Sequence, residues 1–303
     1  MNKNKKKRDV LDKAHELFIE QGYHATSIQD ILNHSNISKG SFYNYFSSKG
    51  ELFKAVFKLI QEEMQVERDK LLIGEDCKDI AIYIEQVSLM MELNKKNKLM
   101  QLIEDVLVSN DPDLIQFIKQ SKYLFLSWVY KRFTNIFPED KSNYLVDCAV
   151  IFIGMMQNIL HTSNAWNQTI TIKQIVTYCM DRIIIILEDI SEKSIQLFTP
   201  AYINEFLPQS DYNDFFNNEF SIATLNLKKV IEKKNGFEKQ KMTTCLNLLY
   251  FIQEEIMYNK ADSRKFLIES TLTTLKNSPE INATQEYIQY EQILGKMEYF
   301  PIS

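Results

Sequence analysis

The segment SNISKGSFYNYFSSKGEL, Ser35 to Leu52, holds two of the seven glycines of the chain, Gly40 and Gly50, beside four aromatic residues and two lysines. Ser38 is a candidate N-cap for a short helix, KGSFYNYF, and Ser48 is a candidate N-cap for the following helix, KGELFKAVFKLIQEEM. Gly40 would lie in the first turn of the short helix, where it leaves the backbone open to another molecule. Taken alone, a tolerated helix glycine costing about 1 kcal/mol is the better interpretation.

The residues before this segment predict two more helices. In DVLDKAHELFIEQ, residues 9–21, apolar side chains recur with a period of 3.6 residues, and Gly22 follows as a helix stop. In ATSIQDILNHS, Thr26 or Ser27 is the expected N-cap, and Asp30 completes a capping box with Ser27. Two short helices joined by a tight turn at Asn36 have the layout of a helix-turn-helix, whose second helix enters the major groove of DNA.

The run from Gly22 to Phe53 resembles the DNA-binding domain of the TetR family of bacterial transcriptional repressors. The resemblance rests on a glycine-aromatic opening, a Thr-Ser pair, a Ser-x-Gly-x-aromatic-Tyr-x-Tyr-Phe core and a lysine three residues later: Gly22, Tyr23, Thr26, Ser27, Ser38, Gly40, Phe42, Tyr43, Tyr45, Phe46, Lys49 and Leu52. Position 36 departs from the pattern, because Asn replaces the usual Gly; Asn also tolerates a left-handed turn. Position 32 has Leu instead of the usual Ala.

The resemblance implies roles for individual residues. Ser27, Tyr43 and Lys49 fall where family members contact phosphates, and Gln29, Lys39, Ser41 and Asn44 fall where they face base edges, which suits the chemistry of these side chains. Gly40 and Tyr45 belong to the same expected interface, although core packing is an equal alternative for Tyr45. The basic arm KNKKKR, Lys3 to Arg8, is expected to be either a flexible phosphate or minor-groove clamp or a solvated tail.

Charge and composition fit an all-α, DNA-binding protein. Residues 1–58 carry ten Lys/Arg against six Asp/Glu, whereas the whole chain carries 35 against 40. A basic end on an acidic chain is typical of a polyanion-binding domain. Hydrophobic residues make up 45% of the 303 residues, and only seven Gly and six Pro interrupt them, too few for an all-β chain. The apolar runs AVIFIGMM and IIIIL are far shorter than the ~18 residues of a membrane span, so we expect a cytoplasmic protein that binds no membrane.

The sequence offers no catalytic or metal-binding motif. The four cysteines are far apart and form no C-x-x-C pair, and HELFI at His15 lacks the second histidine of a zinc-protease motif. We therefore expect no enzyme activity, no cofactor and no metal.

The chain is expected to have three domains: a DNA-binding domain at 1–58, a ligand-binding and dimerisation domain at 59–192, and a helical extension at 193–303. Asn143–Ser163 and Thr171–Ile190 are apolar on more than one face, so they must be buried within the chain or against a partner. Periodicity leaves both possibilities open. In the resembled family such helices pair across a homodimer, and the small Ala149 and Gly154 would permit close approach.

The family also binds a small-molecule inducer in the body of the protein. Candidate lining residues are Met90, Met91, Tyr123, Trp128, Met155 and His161, with Trp166 nearby, because Met and aromatic side chains line adaptable apolar pockets. Ordinary core packing fits each of them as well. An apolar or aromatic inducer is expected, although acidic residues such as Glu85 and Asp105 would instead select a cation.

The extension at 193–303 divides at Pro200, Pro208, Gly236 and Pro279 into helical pieces, of which Lys239–Tyr258 is amphipathic. It fits a separate domain, a lid or an extended dimer arm. The sequence thus predicts a ligand-responsive regulator, a repressor that binds a palindromic double-stranded DNA operator as a homodimer. The alternative is a DNA-binding regulator without a ligand, whose body binds other proteins.

Overall fold

The computed structural model describes residues 3–108, 111–165, 170–202, 218–233, 238–258 and 265–296. These residues form thirteen α-helices and one 3-10 helix, and none of them lies in a strand. The fold is therefore all-α, as composition predicts. Trp166 lies outside the described residues, as do two of the four breakers predicted in the extension, Pro208 and Gly236.

The first four helices form the N-terminal domain. They are α1 (Lys3–Ala25), α2 (Ile28–Ser35), α3 (Lys39–Tyr43) and α4 (Lys49–Lys70). Then follow α5 (Ile80–Lys96), α6 (Leu99–Val108), α7 (Pro112–Ile136), a 3-10 helix (Glu139–Tyr144), α8 (Leu145–Ala165) and α9 (Ile172–Glu192). The helices of the extension are α10 (Asn218–Lys233), α11 (Lys239–Tyr258), α12 (Lys265–Lys276) and α13 (Gln285–Lys296).

Local sequence signals account for the bounds of the first helices. The Ser27 hydroxyl caps α2 and forms the predicted capping box with Asp30. Asn36 adopts the left-handed conformation, with φ 50°, at the end of α2, so Asn performs here the role expected of Gly. Ser38 caps α3, which is shorter than predicted, and the Ser48 hydroxyl accepts the Glu51 N–H at 3.1 Å.

The described chain divides into two compact units. The first comprises Met1–Arg68, Gln86–Lys131 and Lys141–Pro208, and the second comprises Asp69–Glu85, Arg132–Asp140 and Gln209–Ser303. This division differs from three consecutive domains. The boundary expected at residue 58 does not separate two cores, because one apolar cluster of the first unit runs from Val10 on α1 to Ile118 on α7.

The second unit contains the larger part of the predicted extension. Its core is formed by buried side chains of α10 to α13, including Leu227, Leu249 and Ile252, which are fully buried. The α4–α5 loop belongs to the same unit: Gly74 N–H donates to Gln253 Oε1 at 3.3 Å, and Lys228 donates to the Gly74 carbonyl. The extension therefore shares a unit with residues that we assigned to the middle domain.

Within the first unit, α8 and α9 pack against each other. Their inner faces include Phe152, Val176 and Ile183, all fully buried, while Val150, Tyr178 and Ile185 are exposed on the outside. Among the described residues, Glu139–Ala165 is the one stretch long and apolar enough to cross a membrane, with 39% of its most apolar window buried. The core helix of a globular protein passes the same test, so a single stretch of this kind is weak evidence for a membrane span.

Candidate nucleic-acid interface

Helices α2 and α3 present the polar residues that the sequence predicts for DNA contact. Gln29, Lys39, Gly40 and Asn44 are exposed, and Ser41 is half-buried. On the same short helix, Phe42 is fully buried and attaches α3 to the domain core. The structure thus separates an anchoring aromatic residue from exposed donors and acceptors, which an interface that reads base edges requires.

The two tyrosines of this region differ in their surroundings. Tyr43 is 46% exposed and lies edge-on to the Phe42 ring. Tyr45 is half-buried and packs against the apolar core of the domain. Tyr43 is therefore available for a phosphate contact, while Tyr45 has a clear packing role as well.

Ser27 has a local structural task beside any contact with DNA. Its hydroxyl donates to Asp30 Oδ2 at 2.6 Å and accepts the Asp30 N–H at 3.1 Å. These hydrogen bonds lower the pKa of the Asp30 carboxyl group, with the Ser27 hydroxyl as the largest cause. The side chain is exposed, but its proton is already engaged in the capping box.

Lys49 is held by the protein more firmly than its sequence position indicates. Its ammonium group donates to the carbonyl oxygens of Tyr23 and Thr26, both at 2.9 Å, and lies 4.3 Å from the centroid of the Tyr23 ring. Burial lowers the pKa of Lys49. Two of its three donors therefore join α4 to the end of α1, and contact with phosphate stays a prediction.

The end of α1 is also held from α6, by residues that sequence patterns did not reveal. Asp105 Oδ2 accepts the N–H of Tyr23 at 3.2 Å, and His24 Nε2 lies 2.8 Å from the Asp105 carbonyl oxygen. Gly22 has φ +84°, and a Cβ at this position would come within 2.7 Å of Asp105 Oδ2. Only a glycine fits both the conformation and the space.

The N-terminal basic segment differs from the flexible arm that we expected. Helix α1 already begins at Lys3, and Arg8 binds Asp12 and Glu63. Lys7 Nζ lies 5.5 Å from the centroid of the Phe46 ring. The correction has a physical reason: helix α1 continues through the basic run, since opposite charges on α1 and α4 stabilise it.

The candidate ligand residues fall into two groups. Trp128 is buried and stacks on the Phe125 ring. The Arg68 guanidinium carbon lies 4.4 Å from the centroid of the Trp128 ring. Arg68 Nη1 also lies 3.7 Å from Met90 Sδ. Met90 and Trp128 are therefore brought together. Met91 and Met155 are half-buried on α5 and α8, while Tyr123 and His161 are exposed, so none of these four is shown to join the Arg68 cluster.

A crevice of about 600 Å³ lies elsewhere, between α1 and α2, and is lined by Leu17, Gln21, Asp30, Asn33 and His34. It is wide open to solvent and contains none of the candidate ligand residues. Among the residues that the structure describes, no group of three His, Cys, Asp or Glu side chains is placed to hold a metal ion. All four cysteines are buried thiols.

Comparison with known proteins supplies the decisive observation. Residues 10–56, which contain α2, α3 and every candidate DNA-binding residue, match the family model described as bacterial regulatory proteins, tetR family. Residues 10–56 therefore form a DNA-binding domain similar to that of the tetR family. The matched segment coincides with the helix-turn-helix seen in the structure, and it supports DNA-binding transcriptional regulation at this general level.

Similar proteins include two Bacillus subtilis proteins named as uncharacterized HTH-type transcriptional regulators. YuxN is 23% identical over 62% of this chain and 65% of its own length, slightly below two thirds. YerO is 23% identical over 90% of both chains, so it covers the extension as well. A Mycobacterium protein named as a repressor, DhaR, is 34% identical over 18% of this chain, and a Mycolicibacterium smegmatis protein named as an activator, FasR, is 36% identical over 18% of it. No solved structure matches.

Proposed function

We propose that this chain is a ligand-responsive repressor of the TetR family, which binds a palindromic operator as a homodimer and is released by a small molecule. The observation that carries the proposal is the exposed polar surface of α2 and α3 on a buried aromatic anchor, within the segment that matches the family. A protein named as a repressor, DhaR, is similar over 18% of this chain, which supports repression, although a protein named as an activator is similar over an equal share.

The proposed DNA contacts follow from chemistry and exposure. Gln29, Lys39, Ser41 and Asn44 would read base edges, and Gly40 would let the backbone of α3 approach the groove. Tyr43 would contact phosphate. Ser27, Tyr45 and Lys49 would add further contacts only through hydrogen-bond donors that are not already used within the domain. All of these are exposed or half-buried, so none requires the domain to unfold.

The proposed dimer uses the outer faces of α8 and α9. Val150, Tyr178 and Ile185 are exposed there, and a Cβ at Gly154 would meet no atom within 4 Å. A two-fold dimer places two copies of α3 on successive turns of DNA, so its half-sites would lie one helical turn, ~34–36 Å, or slightly more apart.

The proposed ligand contacts the cluster around Trp128, Met90 and Arg68. Their ring, thioether and guanidinium suit an apolar or aromatic ligand. Arg68 is 5% exposed and also packs on Trp128, so the cluster serves equally as the core of a body that binds another protein. The exposed Phe266 and Leu267 on α12 favour this second possibility, because a partner protein would cover them.

A reporter gene under the promoter of the chain's own gene tests repression. Expression should fall when the chain is produced, and a collection of drugs, lipids and acyl thioesters should contain a compound that restores expression and raises the unfolding temperature of the purified protein. Increased expression would indicate an activator instead. Restoration without any thermal shift would argue against direct ligand binding.

A further inference from the structure

The segment that follows α9 exposes an unusual amount of apolar surface. We call residues Ser194–Tyr202 the arm. Within it Ile195 is 50% exposed, Leu197 78%, Phe198 41% and Tyr202 46%. Single exposed apolar residues are ordinary on protein surfaces, but four within eight positions form a patch that indicates an interaction site.

The arm is fixed to α8 by a buried carboxylate. Asp147, only 5% exposed, accepts the backbone N–H of Leu197 at 2.8 Å and that of Phe198 at 2.9 Å. Gln196 Nε2 donates to the Asn143 carbonyl oxygen at 2.7 Å. Burying a carboxylate is unfavourable unless it is hydrogen-bonded. Here its hydrogen bonds hold in place a segment whose apolar side chains remain exposed.

The exposed face of α9 is complementary to itself. Tyr178, Asp181, Arg182 and Ile185 are exposed along it. When two copies of α9 lie antiparallel with the two-fold axis between residues 181 and 182, Tyr178 of one copy faces Ile185 of the other. In the same arrangement Asp181 faces Arg182. At the centre of this isologous pairing, apolar side chains thus meet each other and opposite charges meet each other.

The same register determines what lies opposite the arm. At the end of α9 the antiparallel pairing places the C-cap residue Lys193, directly before the arm, opposite Ile170 of the other copy, at the beginning of α9. Ile170 is 48% exposed. Within one chain the arm and Ile170 lie at opposite ends of the 21-residue helix α9, about 30 Å apart, so the arm cannot cover its own Ile170.

We propose that the arm docks on a second copy of this chain, against the beginning of its α9, and thereby extends the dimer interface of α8 and α9. The proposal rests on the homodimer of the proposed function. Asp147 is the positioning residue of this contact, because it presents Leu197 and Phe198 in a fixed conformation. Each dimer contains the contact twice, so a single substitution in the chain weakens both contacts.

Sedimentation equilibrium of the full-length chain tests the contact. Leu197→Ser should raise the dimer dissociation constant by roughly tenfold or more, since two buried leucines are lost per dimer. Phe266→Ser is the matched control: Phe266 is 77% exposed on α12, and its replacement should leave the constant unchanged within about twofold. A wild-type dimer whose constant does not respond to Leu197→Ser would overturn the proposal.

Cross-linking provides a second test that does not depend on weakened association. A chain carrying Leu197→Cys is mixed with a differently tagged chain carrying Ile170→Cys and treated with a short bis-maleimide. The native thiols are buried, and burial raises the pKa of Cys148 to about 12 and that of Cys179 to about 11, so they should not compete. A mixed cross-link is expected, and Phe266→Cys with Ile170→Cys should give none.

The two possible failures can be distinguished. A chain that stays monomeric at every concentration contradicts the homodimer itself. A dimer that forms but yields neither the mixed cross-link nor a response to Leu197→Ser contradicts the arm alone, with the α8–α9 interface intact.

Discussion

At the scale of single residues, the two lysines of the helix-turn-helix have different surroundings. Lys39 is exposed at the start of α3, beside Gly40, and we propose that it contacts base edges. Lys49 is half-buried, with its ammonium group bound to the carbonyl oxygens of Tyr23 and Thr26. Although the two lysines carry the same charge, their different surroundings predict different effects when each is replaced.

Replacing Lys39 with Ala should reduce the specificity of DNA binding. We expect a loss of ~1–3 kcal/mol on the true operator and a much smaller loss on scrambled duplex, because a long cation at this position can reach guanine O6 and N7. Fluorescence titration of both duplexes at two salt concentrations measures it. Lys58→Ala, which removes an exposed lysine of α4, is the control; equal losses on both duplexes for Lys39→Ala would show that Lys39 reads no base.

Replacing Lys49 with Met should instead destabilise the N-terminal domain. The change keeps the aliphatic stem but removes the hydrogen bonds to two carbonyl groups, which should cost about 1–3 kcal/mol. Urea unfolding followed by circular dichroism measures the free energy of unfolding. An unchanged unfolding midpoint, together with an equal loss of affinity for all DNA sequences, would show that Lys49 contacts phosphate and does not stabilise the domain.

At the scale of elements, the end of α1 is the point at which α2, α4 and α6 are joined. The Tyr23 N–H binds Asp105 of α6, its carbonyl oxygen binds Lys49 of α4, and α2 begins shortly after Thr26. Lys98 adds a hydrogen bond to the Ile19 carbonyl oxygen at 3.2 Å. A change in the position of α6 would therefore act directly on the segment that leads into α2.

Gly22→Ala should disturb this joint. The substitution requires an alanine at φ 84° and ψ 166°, a backbone conformation found almost only in glycine, at a cost of about 1–3 kcal/mol, and it places Cβ against the Asp105 carboxylate. Gly50→Ala is the matched control, because its Cβ would meet only ordinary contacts of 3.6–3.8 Å within a helix. Thermal unfolding should show a lower midpoint for Gly22→Ala alone, and equal midpoints for both variants would contradict the account.

The first helices were predictable from sequence because their signals are local. Ser27, Asn36, Ser38 and Ser48 act on backbone groups within a few residues of themselves, and each occupies the predicted cap or turn. Asp105 gave no such signal, since its partner Tyr23 lies 82 residues earlier in the chain. The same limit applies to Arg68, whose contact with Trp128 depends on how helices pack rather than on any spacing in the sequence.

At the scale of the whole molecule, the chain consists of two units whose segments alternate along the sequence. The predicted boundaries at 58 and 192 follow changes in composition and family resemblance, whereas the units follow packing. The bounds of helix α11, Lys239–Tyr258, agree with the amphipathic segment predicted from its apolar period. Its contact with the loop at Gly74, however, joins residues that lie far apart in the sequence. Periodicity shows which face of a helix is buried, but not which segment covers it.

Truncation after Ser191 should therefore leave a poorly soluble chain. It removes α10 to α13 and leaves the remaining parts of the second unit, Asp69–Glu85 and Arg132–Asp140, without the rest of their core. Buried side chains such as Leu72, Tyr83 and Phe133 would lose their cover and promote aggregation. Soluble yield and circular dichroism measure the result; a folded truncated dimer would show that the extension is independent.

The most direct test of the central claim is selection of DNA by the full-length chain from a library of random duplexes. The account predicts enrichment of a palindrome with half-sites about one helical turn, ~34–36 Å, or slightly more apart, bound by two chains in light scattering of the complex. The Lys39→Ala chain should lose the preference for this palindrome. No enriched sequence, or one without two-fold symmetry bound by a single chain, would contradict it.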